Sequence, residues 1–186
     1  MSGSMLWHDT RLDGTAPPHL ANNVYKVNGS TPLINSIGWI HDYARSRGGL
    51  DDLFVMAHGI EDPYDNVSQR TSAAFIGACG IHICREGLNL ANVTLTRRWN
   101  SSSGRLISRI TLFSCAPALT TGHTRGTASD GERFCMELAA HSGAEVIAST
   151  ESQRYDTRGP KRVIDFGQWE GNVYRFHPDG TRDRIQ

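Results

Sequence analysis

The chain has 186 residues, enough for one domain with a substantial core and no need of disulfide or metal staples. Nineteen basic and nineteen acidic residues cancel, so no global field favours nucleic acid or an anionic membrane surface. No window approaches the ~20 apolar residues that cross a bilayer, and the polar start Met1-Ser2-Gly3-Ser4 lacks the apolar stretch of a signal peptide. Four cysteines, Cys79, Cys84, Cys115 and Cys135, do not make a dense disulfide framework and read as free thiols of a soluble chain in a reducing compartment such as the cytoplasm.

Residues 1–30 carry Pro17-Pro18, Asn22-Asn23 and Asn28-Gly29 without sustained periodicity, and read as an extended arm or short hairpin ahead of a domain spanning 31–186. From Thr31 the pattern changes. Pro32 suits a first helical turn, and Leu33, Ile37, Ile40 and Ala44 share one face of a helix that Gly48-Gly49 ends. Leu53-Phe54-Val55-Met56-Ala57 then reads as a buried strand delivering His58-Gly59. The polar stretch 60–74 is a loop marked by Asp62-Pro63 and Asp65-Asn66, and Ala74-Phe75-Ile76 with Gly80-Ile81-His82-Ile83-Cys84 suggests a small hairpin.

A helical turn or two is expected between Leu88 and Trp99, and a surface connection at Asn100-Ser101-Ser102-Ser103-Gly104. Ile110-Thr111-Leu112-Phe113-Ser114 is a second buried strand, delivering Cys115-Ala116 to a loop with Pro117, Gly122 and Gly126 that is long enough to shape a pocket. Ser129-Asp130-Gly131-Glu132 matches a capping box, followed by a helix with Phe134, Leu138 and Ala139 on its buried face and a stop at Ser142-Gly143. Ala144 to Ser149 is a further strand; Gly171 to Phe176 alternates as another, closed by the turn Pro178-Asp179-Gly180. This alternation predicts an α/β fold, a three-layer α/β/α sandwich with a mainly parallel central sheet.

Open α/β sheets carry their active sites at the carboxyl ends of strands, which is where His58 and Cys115 fall. A thiol is only slightly ionised at neutral pH, and a neighbouring imidazole can take its proton or stabilise its thiolate. The pair suggests a cysteine nucleophile with a histidine base. Taken singly each residue has a plainer reading, since a Cys in an apolar strand is commonly inert core and a strand-end His is ordinary. Cys79, His82 and Cys84 invite a zinc reading, but their spacing fits no common knuckle and no second cluster completes four ligands, so no cofactor is expected. No Gly-Xaa-Ser-Xaa-Gly elbow is present, and Gly77-Ala78-Cys79-Gly80 lacks the Lys-Ser/Thr of a phosphate loop.

A hydrophobic block ending in His-Gly, with a later block ending in Cys and a small residue 57 positions on, resembles the caspase-like cysteine peptidase superfamily. The caspase signature Q-A-C-[RQG]-G is absent, and Phe113-Ser114-Cys115-Ala116-Pro117 stands in its place. The resemblance is closer to the bacterial branch that includes toxin autoprocessing domains. It rests on Gly131-Glu132-Arg133-Phe134, then Gly143-Ala144-Glu145-Val146-Ile147-Ala148-Ser149, then a Trp-containing final strand at Gly167-Gln168-Trp169-Glu170.

The resemblance implies a peptidase acting on its own polypeptide or another, from the cytoplasm or as part of a secreted effector. Cys115 would be the nucleophile, His58 the residue that polarises the scissile bond or protonates the leaving amine, and the amides of Gly59 and Cys115 the oxyanion donors. Ser149, Thr150 and Glu151 follow the strand that lines the primary specificity pocket in relatives. Glu151 is placed to select a basic side chain, although a carboxylate after a strand is more commonly solvated or capping. Relatives also bind a highly anionic activator on a basic surface. Arg154, Arg158, Lys161 and Arg162 stand at that place, interrupted by Asp156 and Asp165, which favours a solvated loop. Two other readings stay open: a catalytically silent member of the same fold used as a protein-binding module, and an amidase or acyltransferase using the same dyad.

Overall fold

Short strands that are apolar on both faces build the centre of the structure, because a parallel strand covered on both sides has no solvent-facing positions to make polar. The computed structural model describes residues 3–60, 80–101, 104–121 and 124–186. In chain order these form β1 (Gly3–Asp9), β2 (Asn23–Val27), α1 (Leu33–Ser46), β3 (Leu50–Met56), β4 (His58–Gly59) and β5 (Ile81–His82). A 3-10 helix (Val93–Trp99), β6 (Asn100–Ser101), β7 (Gly104–Arg105), β8 (Ile107–Phe113), α2 (Gly131–Ser142) and β9 (Glu145–Ser149) follow. The last elements are β10 (Asp156–Arg158), β11 (Val163–Asp165), β12 (Val173–Phe176) and β13 (Arg182–Arg184).

Seven strands form one sheet in the order β13-β12-β9-β8-β3-β1-β2. The run from β9 to β2 is parallel throughout, and β12 and β13 add two antiparallel strands at one side. The expected α/β class with a mainly parallel central sheet is therefore present. On one face, Leu53, Val55, Ile110, Leu112, Val146 and Ala148 pack against Ile37 and Ile40 of α1, Trp99 of the 3-10 helix, and Phe134 and Leu138 of α2. On the other, Leu6 and Met56, with Phe54 and Phe113, meet Leu12, Leu20, Ile164 and Phe166.

The second face is covered differently. Among the described residues its cover is the connection between β1 and β2 together with the β10–β11 hairpin, not a second layer of helices. The reading of residues 1–30 as an arm or hairpin is corrected for the same region. Met5, Leu6 and Trp7 are fully buried in β1, which pairs in parallel with both β2 and β3. Three consecutive apolar residues show no alternation, so a central strand this short gives no periodic signal.

Helix boundaries follow local chemistry. The Glu86 carboxylate accepts the Leu33 N–H at 2.8 Å, capping the start of α1 from outside the helix. Gly48 and Gly49 lie at φ +73° and +120° past its end, as the paired glycines predict. For α2 the capping residue is Asp130 rather than Ser129, with its Oδ1 accepting the Arg133 N–H at 3.1 Å. Glu132 turns outward to Arg182 and Arg125 instead of closing a capping box. Gly131 is required by contact: a Cβ there would lie 2.4 Å from the Leu119 carbonyl oxygen. The Trp169 segment is not a strand, and its ring instead stacks on Phe113 at 5.1 Å. The hairpin partner Ala74-Phe75-Ile76, the loop 61–74 and Cys79 lie outside the described residues, while β5 pairs with β4.

Trp7 meets Trp99 edge-to-face at 6.2 Å, with both rings buried between the sheet and the helical layer. Trp7→Ala is expected to cost about 3–5 kcal/mol, as aromatic truncation in a packed core does. Urea unfolding of the variant measures it, and an unchanged midpoint would restore the arm reading.

Candidate active site

β3 and β8 are adjacent parallel strands, and their ladder ends with Met56 opposite Phe113. His58 and Cys115 each stand two residues beyond that last pair, so the fold brings both to the same level of the same sheet edge. Both are half-buried. No hydrogen bond joins their side chains, and the His58 ring is held from elsewhere.

His58 Nε2 lies 3.2 Å from the backbone carbonyl oxygen of Arg11, in the connection between β1 and β2. A carbonyl only accepts, so Nε2 carries a proton, and whenever the ring is neutral its lone pair is at Nδ1. His8 makes the same contact one residue further on, its Nε2 being 3.2 Å from the Leu12 carbonyl oxygen. Two imidazoles therefore grip consecutive carbonyls of one loop. Across the β4–β5 ladder, His58 faces His82 and Gly59 faces Ile81. The Ile81 amide and carbonyl both bond to Leu88, which makes Gly59–Ile81 a non-hydrogen-bonded pair and turns the Gly59 N–H away from β5.

Beneath His58 lies a charged knot that the residue pattern did not reveal. The Asp9 carboxylate, at the end of β1 and fully buried, accepts from Arg11 Nε (2.8 Å), Arg11 Nη2 (2.7 Å), the Arg11 amide (3.0 Å) and the Cys84 amide (2.9 Å). Burial opposes its ionisation, but the Arg11 side-chain and backbone hydrogen bonds, the Arg11 charge and the Cys84 N–H together outweigh it and hold the carboxyl below its usual range. Arg11 Nη1 donates to His82 Nε2 at 2.7 Å, so His82 is neutral there; the residue as a whole is exposed, but partial loss of solvent around its ring, followed by the Arg11 charge, depresses its protonation. The only sequence signal for the knot was two opposite charges beside an apolar triplet, which is commonplace.

On the cysteine side, Ala116 has φ +43°, a left-handed conformation rare for a residue with a Cβ. Its amide bonds to the Glu151 carbonyl at 3.0 Å, and the Ala118 amide to the Ser149 carbonyl at 3.1 Å. The end of β9 thus braces the turn that carries Cys115. The Ser149 hydroxyl is buried, donating to Glu170 O at 2.5 Å and accepting from Gln153 Nε2 at 3.0 Å, so its side chain does not line an open pocket as the resemblance implied. Thr150 is half-buried and Glu151 exposed. Gln153, buried and bonded to Ser149, Glu151 and Glu170, is a structural residue that no motif marked.

The basic residues find carboxylates. Arg158 pairs with Asp165 at 2.5 Å and Arg162 with Asp13 at 2.6 Å, while Arg154 is 4.0 Å from Glu170 and Lys161 is exposed. Near them, on the loop-covered face, opens a cavity of about 330 Å³ floored by Met56, Phe113, Leu20, Val163 and Phe166, with the Arg158–Asp165 pair at its rim. Met56 and Phe113 are the residues two before His58 and Cys115.

The described cysteines are all unpaired. Cys84 and Cys135 are fully buried; burial pushes the Cys84 thiol up to about 11 and Cys135 well above its usual value. Among the described residues no three His, Cys, Asp or Glu side chains converge as a metal site, and no helix is long and apolar enough to cross a membrane. Comparison with protein-family models, curated proteins and solved structures returned no match.

Asp9 fixes an expected pH dependence. A carboxyl held below its unfolded value of about 3.9 adds stability above that pH, lost as pH falls through the lower folded value. Asp9→Asn should lower stability at pH 7 by about 2–3 kcal/mol, the low end for a buried pair because Arg11 is part-exposed, and flatten the acid limb. Urea midpoints between pH 7 and 3 test this; parallel curves for both proteins would contradict it.

Proposed function

We propose that this chain is a caspase-like cysteine endopeptidase in which Cys115 is the nucleophile and His58 the general base and acid. One observation carries the reading: His58 and Cys115 leave neighbouring parallel strands at the same level, with the imidazole's Nε2–H tied to a backbone carbonyl and, among the described residues, no hydrogen bond at Nδ1. A histidine oriented through one nitrogen has its other nitrogen defined as the proton acceptor, which is how a third group serves a nucleophile and base pair.

In this mechanism Nδ1 takes the Cys115 proton and the thiolate attacks the scissile carbonyl carbon. The oxygen of the tetrahedral intermediate is met by the amides of Gly59 and Cys115, where the missing Cβ of Gly59 allows close approach. Collapse breaks the C–N bond, and the imidazolium gives its proton to the leaving amine. Water, deprotonated by the same nitrogen, then hydrolyses the thioester and restores Cys115.

The cavity floored by Met56 and Phe113 lies on the face of the sheet from which both residues project, so it is the natural seat for the side chain preceding the scissile bond. Its floor is apolar and its rim charges neutralise one another, which favours a large apolar side chain over the basic one that Glu151 implied.

Iodoacetamide at pH 6.5, followed by peptide mass analysis, is expected to label Cys115 quickly and to leave Cys84 and Cys135 unlabelled. His58→Ala should slow Cys115 labelling and cut peptide turnover about 10²-fold or more. Peptides with Leu or Met before the scissile bond should be cleaved in preference to Arg. A Cys115 that reacts no faster than an ordinary exposed thiol, with no dependence on His58, would sink the enzyme reading in favour of a binding module. Fast labelling without peptide cleavage would favour an amidase or acyltransferase.

A further inference from the structure

We propose that Arg11, locked by the buried Asp9 carboxylate, is the positioning residue that fixes the tautomer and orientation of His58. This rests on the reading of His58 as the base. Among the described residues two things constrain the His58 ring: the Arg11 carbonyl that accepts its Nε2–H, and the β4–β5 pairing that sets His58 opposite His82. One guanidinium holds both. Its Nε and Nη2 take the two oxygens of Asp9, which pins residue 11 and therefore its carbonyl to the end of β1. Its Nη1 donates to His82 Nε2, while Nη2 also reaches the carbonyls of His82 (3.2 Å) and Cys84 (2.6 Å), which pins β5 to the same point.

The chemistry of arginine is specific to this task. Five N–H donors in a planar fork serve a carboxylate, a ring nitrogen and two carbonyls at once, which the point charge of a lysine cannot do. Asp9 reinforces the arrangement by accepting the Cys84 amide, at a residue whose own φ of +58° needs support. Neither residue touches the reacting atoms. Without the fork, residue 11 would keep its amide bond to Asp9, the flanking Thr10–Val27 and Leu12–Asp9 backbone bonds, the His8 to Leu12 contact and the Leu12 anchor in the core, but no side-chain tie to β5. The Arg11 carbonyl would then hold the Nε2–H form of His58 less firmly, and Nδ1 would carry the proton in part of the population.

The test is the tautomer of His58, read from long-range ¹H–¹⁵N spectra of ¹⁵N-histidine-labelled protein at pH 7.5, with the signal assigned by its loss in His58→Ala. The native chain is expected to show the single Nε2–H form. Arg11→Met and Arg11→Lys should both show mixed tautomers and slow Cys115 alkylation at least about tenfold, while circular dichroism stays native. His82→Gln, whose amide oxygen accepts the same Nη1–H, should keep the native tautomer; His82→Leu should shift it in the direction of the Arg11 variants. A single Nε2–H form persisting in folded Arg11→Met overturns the inference. If the Arg11 variants do not fold, His82→Leu decides, because His82 is exposed; an unchanged tautomer and alkylation rate there overturn it equally. The peptidase reading fails on a different result, Cys115 alkylation that is indifferent to His58→Ala, whatever the tautomers do.

Discussion

The structure depends on the in-register parallel pairing of β3 with β8 at the centre of the sheet. Both strands are covered on two faces, so the pleat sends Leu53, Val55, Ile110 and Leu112 to the helical side and Phe54, Met56 and Phe113 to the other. Polar chemistry is excluded along most of their length and returns only where the strands run out. Because the ladder closes with Met56 opposite Phe113, His58 and Cys115, each two residues further on, leave the sheet at the same level. A register slip of one residue would send every one of these side chains to the opposite face, so packing of the core and placement of the pair are one constraint.

The two faces of the sheet are covered by different means, and the difference matters for the site. The helical face is closed by α1, the 3-10 helix and α2, whose apolar stripes need only bury surface. The other face is closed by irregular chain, which carries backbone polar groups that must find partners. The connection between β1 and β2 meets that demand by offering its carbonyls to His8 and His58 and by binding Asp9 through Arg11. The loop that covers this face is therefore also the one that orients His58. On the cysteine side the end of β9 has a matching part, its carbonyls holding the strained turn at Ala116 and its own hydroxyl tied down by Gln153 and Glu170.

Aromatic stacking links this irregular layer to the strands. Phe113 is sandwiched by contacts with Phe54, Phe166 and Trp169, and Phe166 reaches Tyr155. Such rings contribute beyond the area they bury, and they give the loop-built wall of the cavity a fixed shape. Trp169 thus packs on Phe113, in a segment that is not the strand its pattern suggested.

Much of the frame was written in local pattern. The period of Leu33, Ile37, Ile40 and Ala44 determined α1, the Gly48-Gly49 pair and Gly143 determined where the two helices end, and the apolar runs before His58 and Cys115 determined β3 and β8, because each signal depends on neighbours within a turn or two. The alternation of helix and strand was enough for the α/β class. Three things were decided only by tertiary structure. Burial of β1 on both faces erased the periodicity that would have announced it; the choice of cover for the second face depended on a connection whose residues are individually unremarkable. The partner of His58 was a backbone carbonyl 47 residues away, which leaves no trace in residue type. Sequence by itself thus marked His58 and Cys115 as strand-end candidates, and long-range pairing decided what orients His58, since a carbonyl oxygen is supplied by every residue and only the folded chain selects one.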